Sequence, residues 1–297
     1  MKISVIIPTY NNPEFFENFK INWQYLNGLE IVIVNDNPQN NIEDLFKEFI
    51  GVKIIKNKIN LGFSKSVNNG VKHSSGDYLL LLNDDVVLKD KSYTKAIEYF
   101  KNDIALFAVS FCQLDKSGKT TGRNKIFFKN GFFMHQAWDS NIFGINGWAE
   151  GGSSLIDRKK YDELGGFDEL YSPFYWEDID LSYRAWKSGF KIFFDPKIIV
   201  YHHHETTIAK NFKNNKIKSI AYRNQLIFIW KNITSLDLSL LHFGFLLKKI
   251  MASVLKRDTA FLIGFISSIF KSPTIINERF NVKYTLTDHD ILSKFKK

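Results

Sequence analysis

The chain has 297 residues, 44% hydrophobic and 24% charged, with a formal net charge of +9 and one cysteine, Cys112. Such a composition excludes a disordered or fibrous chain, and a lone cysteine excludes an intrachain disulfide framework. Residues 208–297 carry 16 Lys and Arg against 5 Asp and Glu, whereas residues 1–207 carry 24 against 26; an excess confined to the last third points to an acidic partner surface.

The first residues, MKISVIIPTYNN, hold five apolar residues before Pro8. That is too short for the apolar region of a signal peptide, so a cytoplasmic location is expected. ISVIIP, LEIVIVND, VKIIKN and DYLLLLND are short apolar runs, separated by PEFFENFKINWQYL and NIEDLFKEFI, which read as helices. Strands apolar on both faces, alternating with helices, predict an α/β fold with a parallel sheet. The first, second and fourth strands end in polar residues: Thr9-Tyr10-Asn11, Asn35-Asp36-Asn37 and Asn83-Asp84-Asp85. Ligands in open α/β sheets bind beyond the carboxyl ends of the strands, so these three ends should share one crevice. No G-x-G-x-x-G follows the first strand, which removes the simplest dinucleotide-binding reading.

Beyond residue 104, IALFAVSFCQL reads as a strand and DKSGKTTGRNK as a polar turn. The aromatic segment 125–148 reads equally well as core packing or as the wall of an acceptor site. DRKKYDELGGFDE should form a short helix stopped by Gly165-Gly166, DIDLSYRAWKSGF a helix ending before Gly189, and IFFDPKIIVYHH a strand. In residues 236–273 apolar stretches alternate with Lys248-Lys249 and Lys256-Arg257. None reaches the ~20 apolar residues of a spanning helix. The pattern suits helices lying on a membrane surface, with a bundle packed on the main domain as the plainer reading.

Three clusters carry chemistry. Asp84 and Asp85 follow a strand, where adjacent side chains point in opposite directions, so at most one of them sits directly on a cation; taken alone, the pair is a plain turn. Glu177, Asp178 and Asp180 open a helix after Phe174, Tyr175 and Trp176. One or two acids would serve as a cap, but three in four positions exceed that need, and an aromatic setting raises a carboxylate towards the range of a general base. His202, His203 and His204 end a strand, and one imidazole beside a carboxylate is an ordinary ligand set for a divalent metal. Zinc is set aside for want of cysteines or an H-E-x-x-H pattern.

SVIIPTYN, IVIVND, NLGFSKSVNNGVKHSSGDYLLLLNDDV and GGFDELYSPFYWEDIDLSYRAWKSGFKIFFDPKIIVYHH, followed by YRNQLIFIWKN, occur in that order. Over roughly residues 3–230 the chain resembles the inverting glycosyltransferases of family 2, and especially the rhamnosyltransferase-like members that build bacterial surface polysaccharides. The resemblance implies the GT-A fold, a Rossmann-like, mostly parallel sheet flanked by helices, over residues 1–230, with a basic amphipathic helical extension at 231–297. It implies that Thr9, Tyr10, Asn11, Asp84 and either Asn35 or Asp36 contact the nucleotide, and that Asn60, Gly62 and Asn68 border the donor. Asp85 with one histidine of the 202–204 triplet, His202 the first choice, would hold Mg²⁺ or Mn²⁺, and Asp178 would be the catalytic base. Trp176, Glu177 and Gly152 would meet the acceptor.

Two positions depart from the family pattern: Asn35 stands where many members have aspartate, and Asn83 replaces the first aspartate of Asp-x-Asp, which weakens metal affinity more than it denies activity. The expected partners are a UDP-, dTDP- or GDP-sugar, a glycan or lipid-linked acceptor, and the inner face of a bacterial membrane through the tail, with no nucleic acid. A non-catalytic module of the same fold is the rival class; it predicts loss of Asp85, Asp178 or His202, and all three are present. A sugar nucleotidyltransferase would need a glycine- and lysine-bearing loop where the chain has PTYNNPEFF.

Overall fold

The computed structural model describes residues 1–202, 213–281 and 284–296. Strands β1 (Ile3–Thr9), β2 (Glu30–Asn35), β3 (Val52–Lys56) and β4 (Tyr78–Leu82) run parallel, with β1 between β2 and β4. Helices α1 (Phe15–Leu26) and α2 (Phe63–Lys72) make two of the crossovers. NIEDLFKEFI, expected as a helix, forms only a single 3₁₀ turn, Glu43–Phe46. Phe46 and Phe49 turn instead onto Phe16, Phe19 and Trp23 of α1, and this aromatic packing outweighs the local helical pattern.

The short strand β5 (Val86–Leu88) is tied to α1 through Asn22, which donates to the Val86 carbonyl at 2.8 Å and accepts from the Leu88 amide at 2.7 Å. Helix α3 (Ala96–Asn102) leads into β6 (Leu106–Leu114). After the small strand β7 (Thr120–Thr121), β8 (Asn124–Lys129) and β9 (Phe132–Ala137) form a separate hairpin, so part of the aromatic segment is a sheet of its own. β10 (Gly144–Ile145) and β11 (Ser153–Asp157) return to the main sheet, and α4 (Arg158–Glu163) follows. Helix α5 (Glu177–Lys187) precedes β12 (Lys191–His202).

The main sheet runs β10-β12-β6-β11-β4-β1-β2-β3, with β11 antiparallel to both β4 and β6. Reversing that one strand joins a parallel half, β3-β2-β1-β4, to a second parallel pair, β6 and β12. Alternate residues feed two cores: Ile6, Leu79 and Leu81 face one side, Val5, Ile7, Leu80 and Leu82 the other.

The C-terminal extension is helical: α6 (Asn214–Asn232), α7 (Leu236–Leu255), α8 (Thr259–Ile269), α9 (Ser272–Asn281) and α10 (Asp288–Ser293). The expectation that no segment is long enough to span a bilayer needs correction. α7 is one unbroken helix of 20 residues that contains an apolar window of mean hydropathy 1.5, long and apolar enough by length and composition, because no more than two charged residues fall within that window. Two buried ionic knots fasten this region to α5. Asp180 accepts from Arg184 at 2.7 Å and Asn232 at 2.8 Å, with the Lys231 ammonium 3.2 Å away. Asp288 pairs with Lys187 at 2.8 Å and accepts from the Tyr183 hydroxyl at 2.6 Å.

Candidate active site

The strand ends β1, β2 and β4 line one wall of a cavity of about 370 Å³, together with residues from the 60–66, 150–152 and 173–178 segments and His202. Asp84 and Asp85 part company at the end of β4. Asp84 turns towards β1, where Thr9 donates to it at 2.7 Å, and Asn12 and Asn18 hold its backbone carbonyl at 3.2 and 3.1 Å. Burial, partly offset by the Thr9 bond, lifts its carboxyl to about 6. Asp85 turns the other way, and its Oδ1 lies 3.2 Å from Nε2 of His202.

Asp36 lines the cavity, but its carboxylate is occupied in shaping the neighbouring loop. It accepts from the amides of Leu61 and Gly62 and from the Asn57 side chain, each at 2.8 Å. Gly62 has φ +81°, and a Cβ there would lie 2.9 Å from the Pro173 backbone, so only glycine fits against the turn that precedes α5. Gly152 also lines the cavity; a Cβ there would lie 2.3 Å from the Asn83 side chain. Thr9, Tyr10 and Asn60 complete this side.

Four expected residues lie elsewhere. Asn35 is buried and folded into its own turn, donating to the Asn40 carbonyl at 2.8 Å and accepting from the Asn37 amide at 3.0 Å. Asn11 is exposed, in the left-handed region at φ 53°, and pairs with Asn37. Asn68 is on the opposite face of α2, beside a second hollow, where it braces the loop after α4 by donating to the Phe167 carbonyl and accepting from Tyr161. Trp176 is buried among Phe133, His135 and Phe228, because its backbone at φ 77° turns the ring into the core. The exposed aromatic in its place is Tyr175, with Phe174 beside it in the cavity wall. His203 and His204 lie outside the described residues.

The acids of α5 divide. Asp180 points inward to the ionic knot, and its cationic partners hold its carboxyl down at about 2 against the burial that opposes them. Glu177 and Asp178 face the cavity. Burial pushes Asp178 up to about 6, while the amides of Ile179 at 2.8 Å and Gly151 at 3.4 Å moderate the rise. Glu177 is pushed well above the usual carboxylate range by burial and by the charge of Asp178, and its Oε2 is buried without a hydrogen-bond partner among the described residues.

A third carboxylate, Glu150, was not anticipated. Burial and the neighbouring Asp178 raise it to about 7, while its Oε1 accepts from Asn124 at 2.8 Å. An acid set between apolar residues and Gly151-Gly152 was the sequence signal for it. The turn carrying these groups is held from α6. Asn224 Nδ2 donates to the carbonyls of Tyr171, Phe174 and Tyr175 at 2.8, 3.0 and 2.8 Å, and Arg223 donates to Ser172 at 2.5 Å. Tyr175 and Trp176 are both left-handed there, a costly conformation that persists only where surrounding contacts impose it.

Among the described residues no group of three or more His, Cys, Asp or Glu is placed to hold a metal ion. The pair that is present nevertheless suits one. His202 Nδ1 lies 2.9 Å from the Gln113 carbonyl oxygen, whose amide nitrogen donates to Ser153 at 2.8 Å. With the proton on Nδ1, the Nε2 lone pair would be left for a cation beside Asp85 Oδ1, a buried oxygen with no hydrogen-bond partner among the described residues. Mg²⁺ is commonly bound by one or two side chains together with substrate phosphates, so two protein ligands are sufficient.

Residues 4–165 match the family described as Glycosyl transferase family 2, over more than half of the chain. The chain belongs to glycosyl transferase family 2. An uncharacterized glycosyltransferase of Haemophilus influenzae is 35% identical over 109 residues, 34% of this chain and 33% of that protein. The O-antigen chain rhamnosyltransferase RfbN of Salmonella typhimurium is 23% identical over 226 residues, 72% of this chain and 70% of that one. The match thus spans only about a third of the Haemophilus protein. Among solved structures, GalNAc-T7 with UDP, GalNAc and Mn²⁺ superposes with a TM-score of 0.61 at 16% identity, covering 78% of this chain and 48% of that one. A mannosyltransferase of Pyrobaculum calidifontis in complex with GDP-Man and Mn²⁺ gives 0.56 at 13% identity, covering 91% and 87%. Both carry the GT-A fold, and this family 2 chain shares it.

Proposed function

We propose that this family 2 member transfers a sugar from a nucleoside-diphosphate sugar to a hydroxyl of a glycan or lipid-linked acceptor in bacterial surface polysaccharide synthesis, with inversion at the anomeric carbon. The observation that carries this reading is the placement of Asp178. A buried carboxylate with its pKa raised to about 6 shares one cavity with the Asp85–His202 pair and the ends of three parallel strands. Thr9, Tyr10, Asn60 and Gly62 border the donor, Asp85 and His202 would hold Mg²⁺ or Mn²⁺ on its diphosphate, and Glu177, Gly152 and Tyr175 face the acceptor. A bound divalent cation supplies charge neutralisation for the departing diphosphate.

Asp178 accepts the proton of the acceptor hydroxyl as the hydroxyl oxygen bonds to the anomeric carbon, while the bond from that carbon to the diphosphate oxygen breaks and the nucleoside diphosphate leaves. Burial and the charge of Asp178 both raise the Glu150 carboxyl, which disfavours a second charge beside an ionised Asp178. Neighbouring solved structures with nucleotide sugars and Mn²⁺, and relatives in polysaccharide synthesis, support the same reading. The basic extension meets the membrane where a lipid-linked acceptor resides.

The test is sugar transfer or slow hydrolysis with a panel of UDP-, GDP- and dTDP-sugars, with and without Mn²⁺. Release of one nucleoside diphosphate that depends on the metal supports the proposal, and binding of none of them refutes it. Because the ionised form of Asp178 is the active one, kcat/KM should be flat above about pH 6 and fall roughly tenfold per unit below it. An acid limb near 4 would show that the base is not a carboxylate raised by burial, as Asp178 is here.

Asn224→Ala removes the side chain that fixes the turn before α5. Misplacing the base by a fraction of an ångström is expected to lower kcat by about 10²-fold. Donor affinity should stay within about threefold, since Asn224 touches no donor-side residue. Single-turnover rates and calorimetry separate the two effects.

A further inference from the structure

Helix α7 has two apolar faces, and among the described residues only one is covered. Leu238, His242, Leu246 and Ser253 are buried against the domain. There Trp230 Nε1 donates to His242 Nε2 at 2.9 Å, and the other ring nitrogen donates to the Gly131 carbonyl at 2.7 Å. The helix lies tight on the β8–β9 turn, since a Cβ on Gly131 would come within 2.5 Å of Phe245. On the other side Leu236, Leu240, Phe243, Leu247, Met251 and Val254 form one stripe at helical spacing, each 58–73% exposed. Ile263 and Ile266 of α8, and Phe270 just past its end, are exposed as well. Single exposed leucines are ordinary, but a continuous apolar stripe marks a surface that is covered in use.

The charges identify the cover. Lys248 on α7, Lys256 and Arg257 in the α7–α8 connection and Lys271 just past α8 are exposed. The nearby acids are engaged: Asp258 pairs with Lys249 at 3.3 Å and Asp237 with His289 at 2.9 Å. A second copy would bring a like-charged surface against this one, whereas an anionic bilayer offers apolar chains and negative headgroups together. We infer that the α7–α8 stripe lies in the plane of an anionic lipid membrane, apolar side chains inserted and lysines at the headgroups, while the opposite face of α7 stays on the domain. Spanning would require α7 to release Gly131, Trp230 and its buried leucines. The β8–β9 hairpin beneath α7 packs through Phe133 on Trp176, two residues from Asp178, so the contact is built rigidly towards the proposed base.

This inference rests on the reading that the extension meets the membrane, and the experiment separates the two. The full chain is sedimented with vesicles of phosphatidylcholine alone or with phosphatidylglycerol added, in parallel with Leu240→Glu/Leu247→Glu and Lys248→Glu/Lys256→Glu variants. The expected result is binding to the anionic vesicles, weakened at least about tenfold without the anionic lipid or in the lysine variant. Binding should be abolished in the leucine variant at an unchanged unfolding temperature, since both leucines are exposed. Binding that survives the leucine variant leaves the membrane reading standing and overturns this face. No vesicle binding by the wild-type chain overturns both. Resistance to alkaline carbonate extraction overturns the in-plane arrangement, and a dimer dissolved by the leucine substitutions would put a second copy on the stripe.

Discussion

Asp178→Asn is expected to lower kcat by about 10³-fold while leaving the donor dissociation constant unchanged, because general-base catalysis contributes roughly 10²–10⁴ to rates. Asparagine matches the carboxylate in size, so the acceptance from Ile179 and the packing at the start of α5 are retained, and only the proton acceptor is removed. The acid limb near pH 6 should vanish from the residual activity, since the group that produces it has gone. Glu150 provides the control. It is the nearest alternative base, and a Glu150→Gln chain that loses the same factor together with the acid limb would transfer the role to it. Rapid-quench turnover across pH with calorimetric donor titration reads both parameters.

Asp85→Asn should act on the other half of the site. Amides bind Mg²⁺ and Mn²⁺ poorly, and outside ligation by substrate phosphates only His202 would remain. Metal-dependent donor affinity is expected to fall by about 10- to 100-fold, with turnover lost at ordinary metal concentrations and partly restored by excess Mn²⁺. Asp84→Asn should behave differently. Asp84 is turned away to Thr9, so its substitution should change donor affinity only modestly and leave the metal dependence as it was. The contrast between two adjacent aspartates distinguishes a ligand from a carboxylate that shapes the wall.

The parallel half of the fold was legible because its strands are apolar runs ended by polar residues, and both properties are local. The crevice followed from the same strand ends, which is why Thr9, the Asn35–Asp36 pair and the Asp84–Asp85 pair could be brought together from position, while the choice of Asp85 for the metal came from the family resemblance. Residues facing away from it could not be separated in this way. Asn35 and Asp36 are neighbours with the same character, and only the loop folded over them shows that one is buried in its own turn. Asn68 sits on α2 within reach of either face, and the loop 161–167 claims it. Trp176 was expected at the acceptor side as one of three aromatics before the acids. Two successive left-handed residues reverse which ring faces the cavity, and the side chain that enforces this, Asn224, lies 48 residues further on. Glu150 depends on long-range packing in the same manner. The tail was misjudged on continuity: counting interruptions by charge hid the fact that α7 is one helix with two apolar faces.

Calorimetric titration of the wild-type chain with UDP-, GDP- and dTDP-sugars, with Mn²⁺ and with a chelator in its place, tests the central claim most directly. The account predicts that one nucleotide class binds in the micromolar range with Mn²⁺ and at least tenfold more weakly without it, and that Asp178→Asn binds as wild type does. If no nucleotide sugar binds under either condition, or if binding is indifferent to both the metal and Asp85, then the cavity is not a donor site and the glycosyl-transfer account is wrong.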